Sequence, residues 1–173
     1  MRPAAAADDA ALWTLLADGG QAVIMRHAVT TAGVGDPPGM RLGECESQRN
    51  LTDEGRAQAR RVADAFRTRR IPVARVLSSP WCRCLETARL AFSAPEVWAA
   101  LGNLFDRPQN RVEQVWEMRV MIGGVRRGGN VVMVSHGSTI AALTGVSPEP
   151  AEMVVLTPGG GTRFTVAGRL TVR

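Results

Sequence analysis

A chain of 173 residues that is 45% hydrophobic and 21% charged, with no tyrosine and few aromatics, fits one ordinary soluble domain that needs no metal or disulfide to hold a core. The net charge of +5 raises the question of nucleic acid, because clustered cations bind phosphate backbones by releasing counterions; here all 21 basic residues are arginine and they spread along the whole chain, which argues against a nucleic-acid partner. No apolar run approaches the roughly 18 residues of a membrane span, and Met1 to Asp9 lacks the apolar stretch of an export signal.

The chain as written is therefore cytoplasmic, with residues 1–12 expected to form a flexible N-terminus. Pro3 to Ala10, a small-residue run that includes Asp8 and Asp9, nevertheless resembles a signal cleavage zone stripped of its apolar part. On that reading the start is truncated and the protein is periplasmic or otherwise exported.

From there, short apolar runs alternate with amphipathic stretches. Ala22 to Met25 reads as a buried strand. Thr52 to Arg69 reads as a helix, since Gly55, Ala59, Val62, Ala63 and Phe66 recur at helical spacing, with Thr52 as its cap and Pro72 blocking continuation. Val73 to Ser78 is a second strand, followed by Ser79 as cap, Pro80 at the first helical position and a helix to about Phe92. Glu96 to Trp98 is a third, short strand. Arg111 to about Arg126 is a helix closed by Gly128-Gly129. Val131 to Ser135 is a β-branched run of the kind buried in parallel sheets, and a helix opens at Ser138. Met153 to Leu156 and Phe164 to Val172 flank the run Thr157-Pro158-Gly159-Gly160-Gly161, which reads as a hairpin turn because no helix follows it. The pattern predicts one α/β domain over 1–173: three layers, a mostly parallel central sheet with helices on both faces, and a C-terminal hairpin.

The chain has two histidines, and each directly follows an apolar strand. His27 succeeds Val23-Ile24-Met25-Arg26, and His136 succeeds Val131-Val132-Met133-Val134-Ser135. In open α/β sheets ligands bind beyond the carboxyl ends of strands, so the two rings are expected to converge on one pocket. Arg83, in the first turn of the helix after the second strand, is placed to join the backbone N–H groups that face an anion. Histidines with arginines at strand ends describe a site that binds a phosphoryl group and attacks it, because neighbouring cations keep an imidazole neutral and nucleophilic while stabilising the transferring oxygens.

With these residues in hand, the chain resembles the histidine phosphatase superfamily over most of Ala22 to Gly145. Arg26-His27-Ala28-Val29-Thr30 is similar to the family's Arg-His-Gly-x-Thr motif, and Leu51-Thr52-Asp53-Glu54-Gly55-Arg56-Ala57-Gln58-Ala59 to its Leu-Thr-x-x-Gly-x-x-Gln-Ala segment. Ser78-Ser79-Pro80-Trp81-Cys82-Arg83, with Thr87-Ala88, is similar to its Ser-Ser-Pro-x-x-Arg segment, and Val134-Ser135-His136-Gly137 to its second histidine. The resemblance implies a metal-independent phosphatase without a cofactor. It implies that His27 is phosphorylated, and that Arg26, Arg83, Thr30 and His136 surround the phosphoryl group of a small-molecule phosphomonoester or phosphohistidine substrate. A weaker resemblance, carried by Gly35 to Cys45 and Gln48-Arg49-Asn50, is to an exported branch near the lipopolysaccharide heptose-phosphate phosphatases.

Two departures stand out. Ala28 replaces a glycine, which is harmless if its backbone angles suit alanine. The second concerns the acid that members acting on alcohol phosphates use to protonate the leaving oxygen. Gly137 rules out one placed after the second histidine. Asp106 is the first candidate and Glu96 the second; Asp36 is the third, in a loop that can fold over the pocket. If none serves, the alternative is a catalytically weak or inactive member that binds phosphorylated ligands. Of the three cysteines, Cys82 is the better partner for Cys45 in an oxidised chain, and Cys84 is expected to pack as a small buried residue. Cys82 and Cys84, two apart on a helix, face different directions and offer no zinc set.

Overall fold

The computed structural model describes residues 8–173. The small-residue start at 3–7, and with it most of the expected flexible N-terminus, lies outside them. The remainder of that segment is not loose. Asp8 accepts from the Ala11 backbone N–H (2.8 Å) and caps a helix, α1 (Asp9–Asp18). Its Leu12 and Leu16 are fully buried, and Trp13 stands edge-on to Phe66 at 5.6 Å.

The strands are β1 (Ala22–Arg26), β2 (Val73–Ser78), β3 (Glu96–Val97), β4 (Asn130–Ser135), β5 (Met153–Pro158) and β6 (Phe164–Leu170); the further helices are α2 (Asp53–Thr68), α3 (Cys82–Ala91), α4 (Arg111–Gly123) and α5 (Gly137–Thr144). They form a single α/β domain around a six-stranded sheet of order β3-β2-β4-β1-β5-β6. The first four strands run parallel, while β5 and β6 are antiparallel to their neighbours and form the expected C-terminal hairpin. Strand alternation divides the core into two faces. Val23, Met25 and Val132 pack with α1 and α2 residues such as Leu16, Val62 and Phe66. Ala22, Ile24 and Met133 pack on the other side with Met118, Ile122 and Ile140 of α4 and α5. Buried on both faces, β1 over residues 22–25 and β4 over residues 131–134 are continuously apolar, as interior parallel strands tend to be.

Several boundaries move, among them the end of β5, which runs to Pro158 rather than Leu156. Ser79 does not cap α3: the turn Ser79-Pro80-Trp81 carries the chain across the end of β2, the helix opens at Cys82, and the Ser79 hydroxyl is used elsewhere. Helix α4 stops at Gly123, capped by Gly124, rather than near Arg126; Gly123 is required there, since a side chain would collide with the Gly161 carbonyl. Strand β6 ends at Leu170 instead of Val172. The predicted Thr52 cap is present, its hydroxyl accepting from Gly55 N at 3.1 Å. Gly55 is required there, since a Cβ would run into the Val29 carbonyl and push the helix start off the loop that follows β1. Among the described residues no helix is long and apolar enough to cross a membrane.

Candidate active site

Register places the site. Arg26 pairs with Ser135 across β1 and β4, Ser78 pairs with Val134 across β2 and β4, and the His27 N–H donates to the Ser135 carbonyl at 2.9 Å. The carboxyl ends of the three strands are therefore level. His27 and His136 stand side by side with ring centroids 5.5 Å apart, lining one cavity of about 390 Å³ with Arg26, Arg49, Arg83 and Asn103.

The segment after His27 is held by backbone bonding. Ala28 N donates to Thr87 Oγ1 (3.1 Å) and Val29 N to Gln58 Oε1 (3.0 Å), so the Thr and Gln of the sequence motifs fix the loop rather than touch the cavity. Arg70 and Ala151 are the only described non-glycine residues with positive φ; Ala28 therefore replaces glycine without strain.

Hydrogen bonding sets both tautomers. His27 Nδ1 lies 2.9 Å from the Ala28 carbonyl, which can only accept, so Nδ1 carries the proton and the lone pair is on Nε2. Burial, opposed by that carbonyl and reinforced by the charges of Arg83, Arg26 and Arg49, lowers the His27 pKa from 6.5 to about 3. His136 Nε2 is 2.8 Å from the Ser79 hydroxyl. That hydroxyl also receives the Trp81 N–H (3.4 Å), so its own proton points at Nε2 and the His136 proton sits on Nδ1. His136 too is held far below its ordinary pKa, first by burial and then by His27 and the three arginines.

The arginines are each anchored at one end. Arg26 Nη1 donates to the Pro148 carbonyl at 2.9 Å. Arg83, 1% exposed, donates from Nη1 to Asp36 Oδ1 (2.7 Å) and from Nη2 to Asp36 Oδ2 (3.1 Å). Arg49 Nη1 donates to Thr30 Oγ1 (2.8 Å) and to the Gly33 carbonyl (3.0 Å). What remains is four buried groups around the cavity without a hydrogen-bond partner: Arg26 Nε, Arg49 Nε, Arg83 Nε and His136 Nδ1. Among the described residues the only other such side-chain atom is Arg61 Nε, away from the cavity. Buried donors of this kind are costly unless something accepts from them.

His27, His136, Arg26 and Arg83 thus meet as the sequence led us to expect; the other candidates do not. Thr30 is absent from the cavity wall because its hydroxyl holds Arg49. Asp106 is exposed, and its carboxylate accepts from Asn103 Nδ2 at 2.7 Å; the side chain on the wall is the Asn103 amide. Glu96 lies at the sheet edge, paired through both oxygens with Arg75 (2.9 Å each). Asp36 does arrive on a loop folded over the pocket, but burial, which alone would raise its carboxyl, is outweighed by bonds from Arg83, the Arg49 backbone and Trp81, and its pKa is held below the ordinary value. It is a bound anion, not a proton donor. Arg49 is the residue that sequence reasoning missed. It sits in a stretch without periodicity and reaches the cavity through the isolated Thr30–Leu51 bridge.

The same loop is tied down by a Cys45–Cys82 disulfide, while Cys84 is free and buried. Among the described residues no three His, Cys, Asp or Glu side chains are grouped to hold a metal ion.

Residues 22–102 match the family model of the histidine phosphatase superfamily, branch 1. That match supports membership of the superfamily, and His136 joins the matched segment through the β1–β4 pairing. The protein histidine phosphatase SixA complexed with tungstate superposes with a TM-score of 0.60 at 22% identity, covering 87% of this chain and 96% of that one. A phosphoglycerate mutase from Thermus thermophilus gives 0.59 at 19% identity over 88% and 99%, and a mycobacterial glucosyl-3-phosphoglycerate phosphatase 0.57 at 20% over 84% and 96%. At such identities the likeness establishes the histidine phosphatase fold and no more. No curated protein sequence matches the chain significantly.

Proposed function

We propose that the protein is a phosphatase in which His27 Nε2 takes the phosphoryl group and passes it to water. The observation that carries this reading is the set of four unpartnered buried donors, Arg26 Nε, Arg49 Nε, Arg83 Nε and His136 Nδ1, beside a neutral imidazole whose only free nitrogen is its nucleophilic one. A phosphoryl group has the oxygens to satisfy all four. The donors are anchored before it arrives, so they stabilise developing charge without reorganising. In the first step the Nε2–P bond forms while the bond to the leaving group breaks with its electron pair. In the second, water attacks phosphorus and the pair returns to Nε2.

Among the described residues no carboxylic acid lines the cavity. The reading therefore favours substrates whose leaving group departs without a proton from the protein: the P–N bond of phosphohistidine, or esters of acidic alcohols, ahead of ordinary alkyl phosphates. The SixA likeness is in keeping with the phosphohistidine case. The Cys45–Cys82 bond favours an oxidising compartment, and hence the exported alternative for localisation.

Incubation with nitrophenyl phosphate and an alkyl phosphate tests the proposal. Turnover of the first, exceeding the second by the ~10²–10⁴ that general-acid catalysis would otherwise supply, is the expected outcome. Binding of inorganic phosphate without turnover of either would instead mark an inactive phospho-ligand-binding member.

A further inference from the structure

The floor of the cavity is cationic, but its mouth is apolar. Val34 is 86% exposed and Phe105 60% exposed, and both line the cavity, with Gly35, Ala141 and Pro148 near them. They come from different segments. Val34 sits on the loop after β1 and Phe105 on the segment after β3, and Phe105 Cε1 lies 3.6 Å from the position a Cβ on Gly35 would take. The backbone under the ring is fixed, since Phe105 N donates to Ser138 Oγ (3.1 Å) and Asn103 Oδ1 (3.2 Å). A single exposed apolar residue needs no explanation; two at the mouth of one phosphoryl site ask what packs against them.

We propose that Phe105 and Val34 form the leaving-group subsite and select a flat aromatic leaving group, an imidazole or a phenolate. This rests on the phosphatase reading above, and two independent features of the cavity converge on it. Without an acid on the wall, the leaving group must be stable when it departs, which aromatic heterocycles and phenolates are. With an aromatic ring and a branched aliphatic side chain at the mouth, a planar ring finds stacking contacts that an alkyl or acyl group does not. The phosphoryl group then rests on Arg26, Arg49, Arg83 and His136, with the ring against Phe105 and Val34 at the mouth. As Nε2–P forms, the P–N or P–O pair withdraws onto the ring heteroatom. An imidazole leaves neutral once its far nitrogen carries a solvent proton, and a phenol leaves as phenolate.

The test compares two substrates that both depart without a donated proton but differ in the ring: nitrophenyl phosphate and acetyl phosphate. In Phe105→Ala the ratio of kcat/KM for the aryl over the acyl substrate should fall roughly three- to tenfold, and Phe105→Tyr, which keeps the ring, should restore it. An unchanged ratio in Phe105→Ala overturns the subsite. A wild-type enzyme that turns over neither compound overturns the phosphatase reading, and the subsite with it.

Discussion

Asp36 and Arg83 face each other through two hydrogen bonds of 2.7 and 3.1 Å, with side chains only 4% and 1% exposed. The pair joins a loop without regular structure to the first turn of α3, and leaves Nε as the Arg83 nitrogen free for the cavity. Removing one partner of a buried pair leaves the other uncompensated, at about 3–5 kcal/mol. Asp36→Asn should lower unfolding stability by about that much in urea titration. Glu96→Gln, which breaks the exposed, solvent-screened pair with Arg75, should cost far less. Equal losses in the two variants would mean that the Asp36 contact is not the latch described here.

At the cavity the Arg49 side chain is held by Thr30 and Gly33 through its Nη1. Arg49→Met keeps much of the length and removes the charge, so inhibition by inorganic phosphate should weaken by about 10-fold or more, as expected for the loss of a charged hydrogen bond. Thr30→Val should weaken it in the same direction by a smaller factor, acting through Arg49. If Thr30→Val weakened phosphate more than Arg49→Met, Thr30 would be the direct ligand and the order of contacts would be reversed.

Acid should unfold the protein partly through its active-site histidines. His27 has a folded pKa of about 3 against 6.5 when exposed, so between these values the unfolded chain binds a proton that the native state does not. Stability therefore rises with pH across that window, is fully present above about 6.5, and is lost as pH falls toward 3, at up to about 1.4 kcal/mol per pH unit for this group. His27→Asn should flatten the slope of stability between pH 4.5 and 6.5 by that amount. A slope identical to wild type would place the proton elsewhere.

The strands and two histidines were legible because their signals are local: an apolar run followed by His27 or His136 puts a ring at the carboxyl end of a strand whatever the distant chain does. Helix α2 was legible for the same reason, through its spacing and the Thr52 cap. Helix α1 was not, because apolar residues such as Leu12, Trp13, Leu15 and Leu16 fall on several of its sides and leave no clear helical period; it is seated by Leu12 packing on Gly168, with a Cβ there only 2.7 Å from Leu12 Cδ1. The Asp36–Arg83 and Thr30–Arg49 contacts were equally hidden, since they depend on the path of an aperiodic loop over residues 31–50. Ser79 read as a helix cap by its neighbour Pro80, and only the structure turns its hydroxyl toward His136. Asp106 was a candidate by its place in the segment after β3, and the side chain that segment presents to the cavity is Asn103.

The central claim, that His27 Nε2 carries the phosphoryl group, is tested most directly by rapid acid-free quenching during turnover of ³²P-labelled substrate, followed by peptide mapping. The account predicts a label on the peptide containing His27, stable in base and lost in acid, and absent from a folded His27→Asn variant that no longer turns over. Turnover with no base-stable label, or a label that persists in His27→Asn, would contradict it.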